Sequence, residues 1–148
     1  MNALLLFAHL AAAIVWMGGM GFILLAMRAA AFAVLQPPAR PQLLLASLQR
    51  FFPLVRISIA VLLLTGLAFM LEVGFARAPV GWHVMLGIGL VMMAVFAHID
   101  FAPFRRAQRA AAEQDWAAVG RALQAIHPLV VLNFTLGWCA IAAVLFWR

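Results

Sequence analysis

Residues 82–104 read WHVMLGIGLVMMAVFAHIDFAPF: one carboxylate, Asp100, two histidines, and no other ionisable side chain. A run of this kind is long enough to cross a hydrocarbon core about 30 Å thick, which takes roughly 20 helical residues. Three further runs have the same character, at about 3–27, 52–75 and 126–147. Period-two alternation is absent and each run greatly exceeds a barrel strand, so strands are not expected. The first run lacks a basic leader and a convincing cleavage site, and is read as a helix of the mature protein rather than a signal peptide. The expected fold is all-α: a single four-helix transmembrane bundle over residues 1–148.

Composition agrees. Of 148 residues, 68% are hydrophobic and 9% charged, and the mean hydropathy is +1.11. Soluble domains carry about a quarter charged residues, so a water-soluble globule and a disordered chain are both excluded. Nucleic-acid binding is excluded as well, despite a pI near 11.8. The lone Cys139 allows no internal disulfide.

The arginines set an expected orientation. Arg28, Arg40, Arg50 and Arg56 lie in or beside the first long connection (28–51), and Arg105, Arg106, Arg109 and Arg121 lie in or beside the second (105–125). The opposite side has only Arg77 and Arg148. The positive-inside rule then places both connections in the cytoplasm and both termini outside, in a bacterial inner membrane. Pro37, Pro38 and Pro41 should break a first helix that runs past Arg28, with 43–52 an interfacial approach. Segment 105–124, rich in Ala, Arg and Gln, reads as a short amphipathic helical hairpin on the cytoplasmic face.

Ionisable groups in hydrocarbon are costly and mark candidate sites. All four histidines fall in or at the ends of the spans: His9 and His83 on the outer side, His98 and His127 on the inner. His98 follows His83 by fifteen residues, about 22 Å along a helix, and some 60° around it. Both should therefore share one seam, with Gly87, Ala94 and Leu90 between them. Imidazole is a common axial ligand of haem iron, so His9 with His83, and His98 with His127, could each clamp a haem b. One or two such haems would make a cytochrome b-like path for transmembrane electron transfer, a membrane oxidoreductase function with a quinone or redox protein as partner. Arg50, Arg56 and Arg105 are candidates for inner propionates, and Arg77 for outer ones. The plainer reading gives His83 and His127 to headgroups or helix caps.

Other polar residues point to local roles. Ser58, Thr65 and Glu72 recur every seven residues on helix two; Glu72 either orients His9 or His83 or pairs with Arg77. Asp100 should pair with a cytoplasmic arginine, and Asn133 should hydrogen-bond across the bundle. His9, Ala13, Trp16 and Met20 share a face of helix one. The Gly18-Gly19-Met20-Gly21 cluster reads as a packing surface, and it admits a homodimer. The eight methionines either fill the core or, being soft thioethers, bind Cu(I).

Several stretches carry a family likeness. They are His9 with 13–20 (AIVWMGGM), 50–53 (RFFP), 62–67 (LLLTGL), 83–87 (HVMLG), 101–106 (FAPFRR), Asp115-Trp116, and 120–123 (GRAL). In order and spacing they resemble the bacterial copper-resistance protein D (CopD) family, over nearly the whole chain. That resemblance implies copper binding or transport, with His9, His83 and nearby Met as ligands. A more distant similarity to HemJ-type protoporphyrinogen oxidases implies haem b held by the first-helix histidine, His9. Those proteins also use an intramembrane lysine, and this chain has no Lys, which disfavours the oxidase. A structural subunit presenting 105–124 to a partner is the remaining reading.

Overall fold

A computed structural model describes residues 2–147. Helix α1 spans Ala3–Val34 and α2 spans Ala39–Val73. Helix α3 covers Val80–Phe101, α4 Pro103–Ala112 and α5 Trp116–Phe146. No strand occurs among the described residues, and four helical segments are long and apolar enough to cross a membrane. Arg148, counted in the charge balance above, lies outside the described residues.

Each boundary has a local cause. The Asn2 side chain accepts from the Leu4 N–H at 2.9 Å and Asp115 accepts from the Ala118 N–H at 2.9 Å, satisfying amides that have no partner in a first turn. Gly74 ends α2 at φ +86°, a conformation that favours glycine. Ala102 leaves helical geometry at φ −115°, ψ −86°, and Pro103 opens α4 where its missing N–H costs nothing.

The connections are helical, as expected for 105–124 and beyond Arg28, and the helix from Ala39 runs unbroken into the second span. Of segments 28–51 and 105–125, only 35–38 and 113–115 are non-helical. Ala, Leu, Arg and Gln are good helix formers, and the extended turns bury a core of their own from Ala31, Leu44, Leu45, Leu48, Ala107, Val119 and Leu123. The anticipated hairpin is present, as α4 and the first turns of α5. It continues the bundle instead of standing apart from it.

The helices associate mainly in two pairs, α1 with α2 and α3 with α5, and α4 packs on α5. Small residues permit both close approaches. A Cβ at Gly19 would overlap the Phe51 ring, and one at Gly81 would overlap the carbonyl oxygens of Ala143 and Trp147. Gly21 meets Phe134, so Gly19 and Gly21 are used within the chain, while Gly18 faces open space.

At the arginine-rich end the pairs close on a solid core. Phe52 meets Phe96 at 5.2 Å and Phe104 at 4.3 Å between ring centroids, and Trp16 meets Phe96 edge-on at 6.4 Å. The expected partner of Asp100 is Arg56, whose Nε and Nη2 donate to the two carboxylate oxygens at 3.0 and 2.8 Å. This bidentate geometry ties α2 to α3. Asn133 donates to the Met92 carbonyl at 3.1 Å, the expected bond across the bundle. Around this core Leu4, Phe7, Ile14, Phe22, Ile57, Leu64 and Leu71 stay exposed, an apolar surface suited to lipid and not to water.

Candidate metal site in the transmembrane cleft

Towards the end that carries both chain termini the pairs diverge, leaving a cleft of about 330 Å³ lined by α1, α2, α3 and α5. His9 is its one histidine. Six residues into α1, His9 stands at the depth of Thr65 and Gly66, which precede the end of α2 by seven or eight residues. Gly66 lies beside the ring: a Cβ there would sit 3.6 Å from His9 Cε1, in ordinary contact. Phe69 tilts against the imidazole at 5.7 Å.

Hydrogen-bond accounting favours one tautomer of the ring. His9 Nδ1 lies 2.7 Å from Thr65 Oγ1. The Thr65 hydroxyl lies 2.6 Å from the Val61 carbonyl and donates its single proton there. Having no second proton to give, Oγ1 accepts, and Nδ1 is the nitrogen that carries hydrogen. The lone pair is left on Nε2. Metal-ligating histidines commonly have their second nitrogen held in this way.

The remaining donors are soft. Met70 and Met85 line the cleft near its terminal end, as His9 does, while Met17, Met92 and Met93 line it deeper. Met17 reaches across to α5, where its sulfur fills the space a Cβ at Gly137 would take. No three His, Cys, Asp or Glu side chains converge among the described residues. Zinc, which takes N, O and thiolate ligands, therefore finds no cage of those groups here.

The other residues singled out from sequence are dispersed. His83 is exposed and its Nδ1 lies 3.2 Å from the Pro79 carbonyl, within its own first turn. His98 is exposed at the far end of α3. The rotation reckoned between them holds, for Gly87, Leu90 and Ala94 share their exposure. What differs is where that face points. Helix α3 buries Gly81, Met92, Phe96, Ile99 and Asp100, so the seam of His83 and His98 lies on the outer surface of the bundle.

His127 is half-buried at the arginine-rich end, in a small pocket with Arg28. The structure brings neither His9 to His83 nor His98 to His127. Arg50, Arg77 and Arg105 are exposed, Arg105 stacking 4.8 Å over the Phe101 ring, and Arg56 is engaged by Asp100. Glu72 is exposed near the end of α2, and Thr65 is the residue bonded to His9. Sequence reading placed Thr65 on a polar line without joining it to His9; their matched depth was the available signal.

The model of a family described as copper resistance protein D matches residues 45–147. This range includes Thr65, Met70, Met85, Met92 and Met93 and leaves out His9 and Met17. No curated protein and no solved structure matches the chain, so the likeness to HemJ-type proteins has no support there. With well over half of its length matched and four helices able to span a bilayer, the chain belongs to the copper-resistance protein D family and is a multi-pass inner-membrane protein.

Proposed function

We propose that this protein binds copper as Cu(I) within the membrane, at His9 Nε2 and the thioethers that line the same cleft. The observation that carries the reading is the Thr65-held imidazole in a cleft that five methionines from three helices also line. Thioether sulfur favours Cu(I) over harder ions, and neutral imidazole suits copper as well. Such a site carries no formal charge of its own, so in an apolar cleft it suits a monovalent cation. His9, Met70 and Met85 form the tier near the termini, and Met17, Met92 and Met93 a deeper one. Eight arginines on one side against two on the other put both termini outside, and copper would then enter the cleft from that side.

Haem b with His9 as its single axial ligand is the second reading, favoured by the volume of the cleft and by the aromatic walls Phe69 and Trp82. A pair of two-histidine clamps is not part of it, because His83 and His98 face outwards.

Purified protein, reduced and loaded anaerobically with Cu(I) against a chromophoric chelator, separates the readings. Copper should bind in stoichiometric amounts to protein with no Soret band, and His9→Ala should weaken it by about tenfold or more. A Soret band lost in His9→Ala would move the assignment to haem. Copper retention unchanged both in His9→Ala and in a variant with Met17, Met92 and Met93 replaced by Leu would refute the copper site.

A further inference from the structure

The bundle has a second pocket, at the arginine-rich end and independent of the copper reading. It is an open pocket of about 40 Å³, room for about three or four waters at about 10–15 Å³ each. Its only ionisable lining residues are Arg28 from α1 and His127 from α5, and no carboxylate lines it. The other walls are apolar, among them Ile23 and Met27 of α1, Leu44 and Leu48 of α2, and Leu123 and Val130 of α5.

Two features indicate that Arg28 is placed there by the fold. Residues Ile23–Met27 form a π-helical turn in which the Arg28 N–H bonds to the Ile23 carbonyl, five residues back. The extra residue rotates everything after it by about 100° relative to a regular helix, and such turns recur at functional sites. Its guanidinium also stacks 4.7 Å from the centroid of Phe32, whose ring is held by Arg40 at 4.4 Å as well. Arg40 is occupied by the Leu35 carbonyl, at 3.0 Å from Nε and 2.7 Å from Nη2. Arg28 has no carboxylate within ion-pair distance among the described residues.

Depth identifies the environment. Arg28 lies twenty-five residues beyond Ala3, about 37 Å along α1, and a hydrocarbon core is about 30 Å thick. His127 lies nineteen residues before Phe146, about 28 Å along α5. Both therefore stand near headgroup level, with apolar walls extending towards the acyl chains.

We propose that this pocket binds the phosphodiester headgroup of an anionic phospholipid, with Arg28 as the fixed cation and His127 as a second donor. The Ile23 and Val130 walls, nearer the bilayer centre than Arg28, take the first part of an acyl chain. Charge complementarity selects the anionic headgroup, and the apolar walls select lipid over a free anion.

Native mass spectrometry of the detergent-purified chain tests this with phosphatidylglycerol against phosphatidylcholine of the same chain length. The wild type should prefer phosphatidylglycerol by about fivefold, the effect of one well-placed cation. Arg28→Gln should abolish the preference, His127→Gln should reduce it, and Arg109→Gln, the same charge change on the exposed face of α4, should leave it intact. Millimolar inorganic phosphate should not displace the lipid; displacement would assign the pocket to a free anion and overturn the proposal. Equal binding of the two lipids by the wild type, or a preference that survives Arg28→Gln, would also overturn it. Thermal unfolding of the wild type in micelles supplemented with either lipid needs no variant: only phosphatidylglycerol should raise the midpoint, and equal shifts contradict the site.

Discussion

The two halves of the bundle are made by the same helices and differ in what fills the space between the pairs. At the arginine-rich end Trp16, Phe52, Phe96 and Phe104 interlock, and Arg56 is joined to Asp100. At the terminal end Gly66, Gly89 and Gly137 line a cleft with flexible methionines around it. In lipid there is little hydrophobic drive for one apolar helix to meet another, so packing decides where they touch. Large rings close one half; in the other, Gly89 faces open space and the flexible Met17 fills the room beside Gly137. The contrast separates a part of the molecule that holds the helices together from a part free to hold a ligand.

The largest effect should come from removing bulk in the closed half. Phe52, almost wholly buried between Phe96 and Phe104, should cost about 3 kcal/mol as Phe52→Ala. Unfolding in detergent measures it, and a loss below about 1 kcal/mol would mean that this half is not the packed one. Next comes the support of the imidazole. Thr65→Val keeps the shape and removes the acceptor of His9 Nδ1–H, so Cu(I) affinity should fall by about tenfold or more with stability little changed. Unaltered affinity in the chelator competition would detach Thr65 from the site.

The smallest effect should come from adding bulk to the open half. A Cβ at Gly89 meets no atom within 4 Å, so Gly89→Ala should leave the fold intact and stabilise α3 by about 0.5–1 kcal/mol through helix propensity. A lower unfolding midpoint would show that the cleft is tighter than its lining suggests.

The fold was largely legible because its signals are local. The partner of Asp100 followed from the cost of leaving a carboxylate unpaired near the inner boundary, and the bond made by Asn133 followed from the same rule. The helical extensions are legible in part: Pro37 and Pro38 mark the break, a first helix running past Arg28 and a hairpin over 105–124 are expected, and only 43–52, expected as an interfacial approach, proves to be part of one continuous helix with the second span. Their helicity depends on residues far apart in the chain, such as Leu44, Ala107 and Val119, burying one another. In the candidate site, His9 stands out by its depth and by the family resemblance, and Thr65 by its place on a polar line with no link to His9. His83 and His98 share one face of α3, and that face is exposed.

The direction of that face divides what each level determined. The number of spanning helices, their approximate limits and the depth of every histidine follow from apolar length and a rise of about 1.5 Å per residue, quantities a single chain segment carries by itself. The rotation of each helix about its own axis does not. A helix that is apolar all round, facing lipid on one side and other helices on the other, has no polar face to mark which way it turns. Only the tertiary contacts at Gly81, Phe96 and Gly137 orient α3 and α5, setting Met85, Met92 and Met93 in the lining of the cleft and leaving His83 and His98 outside.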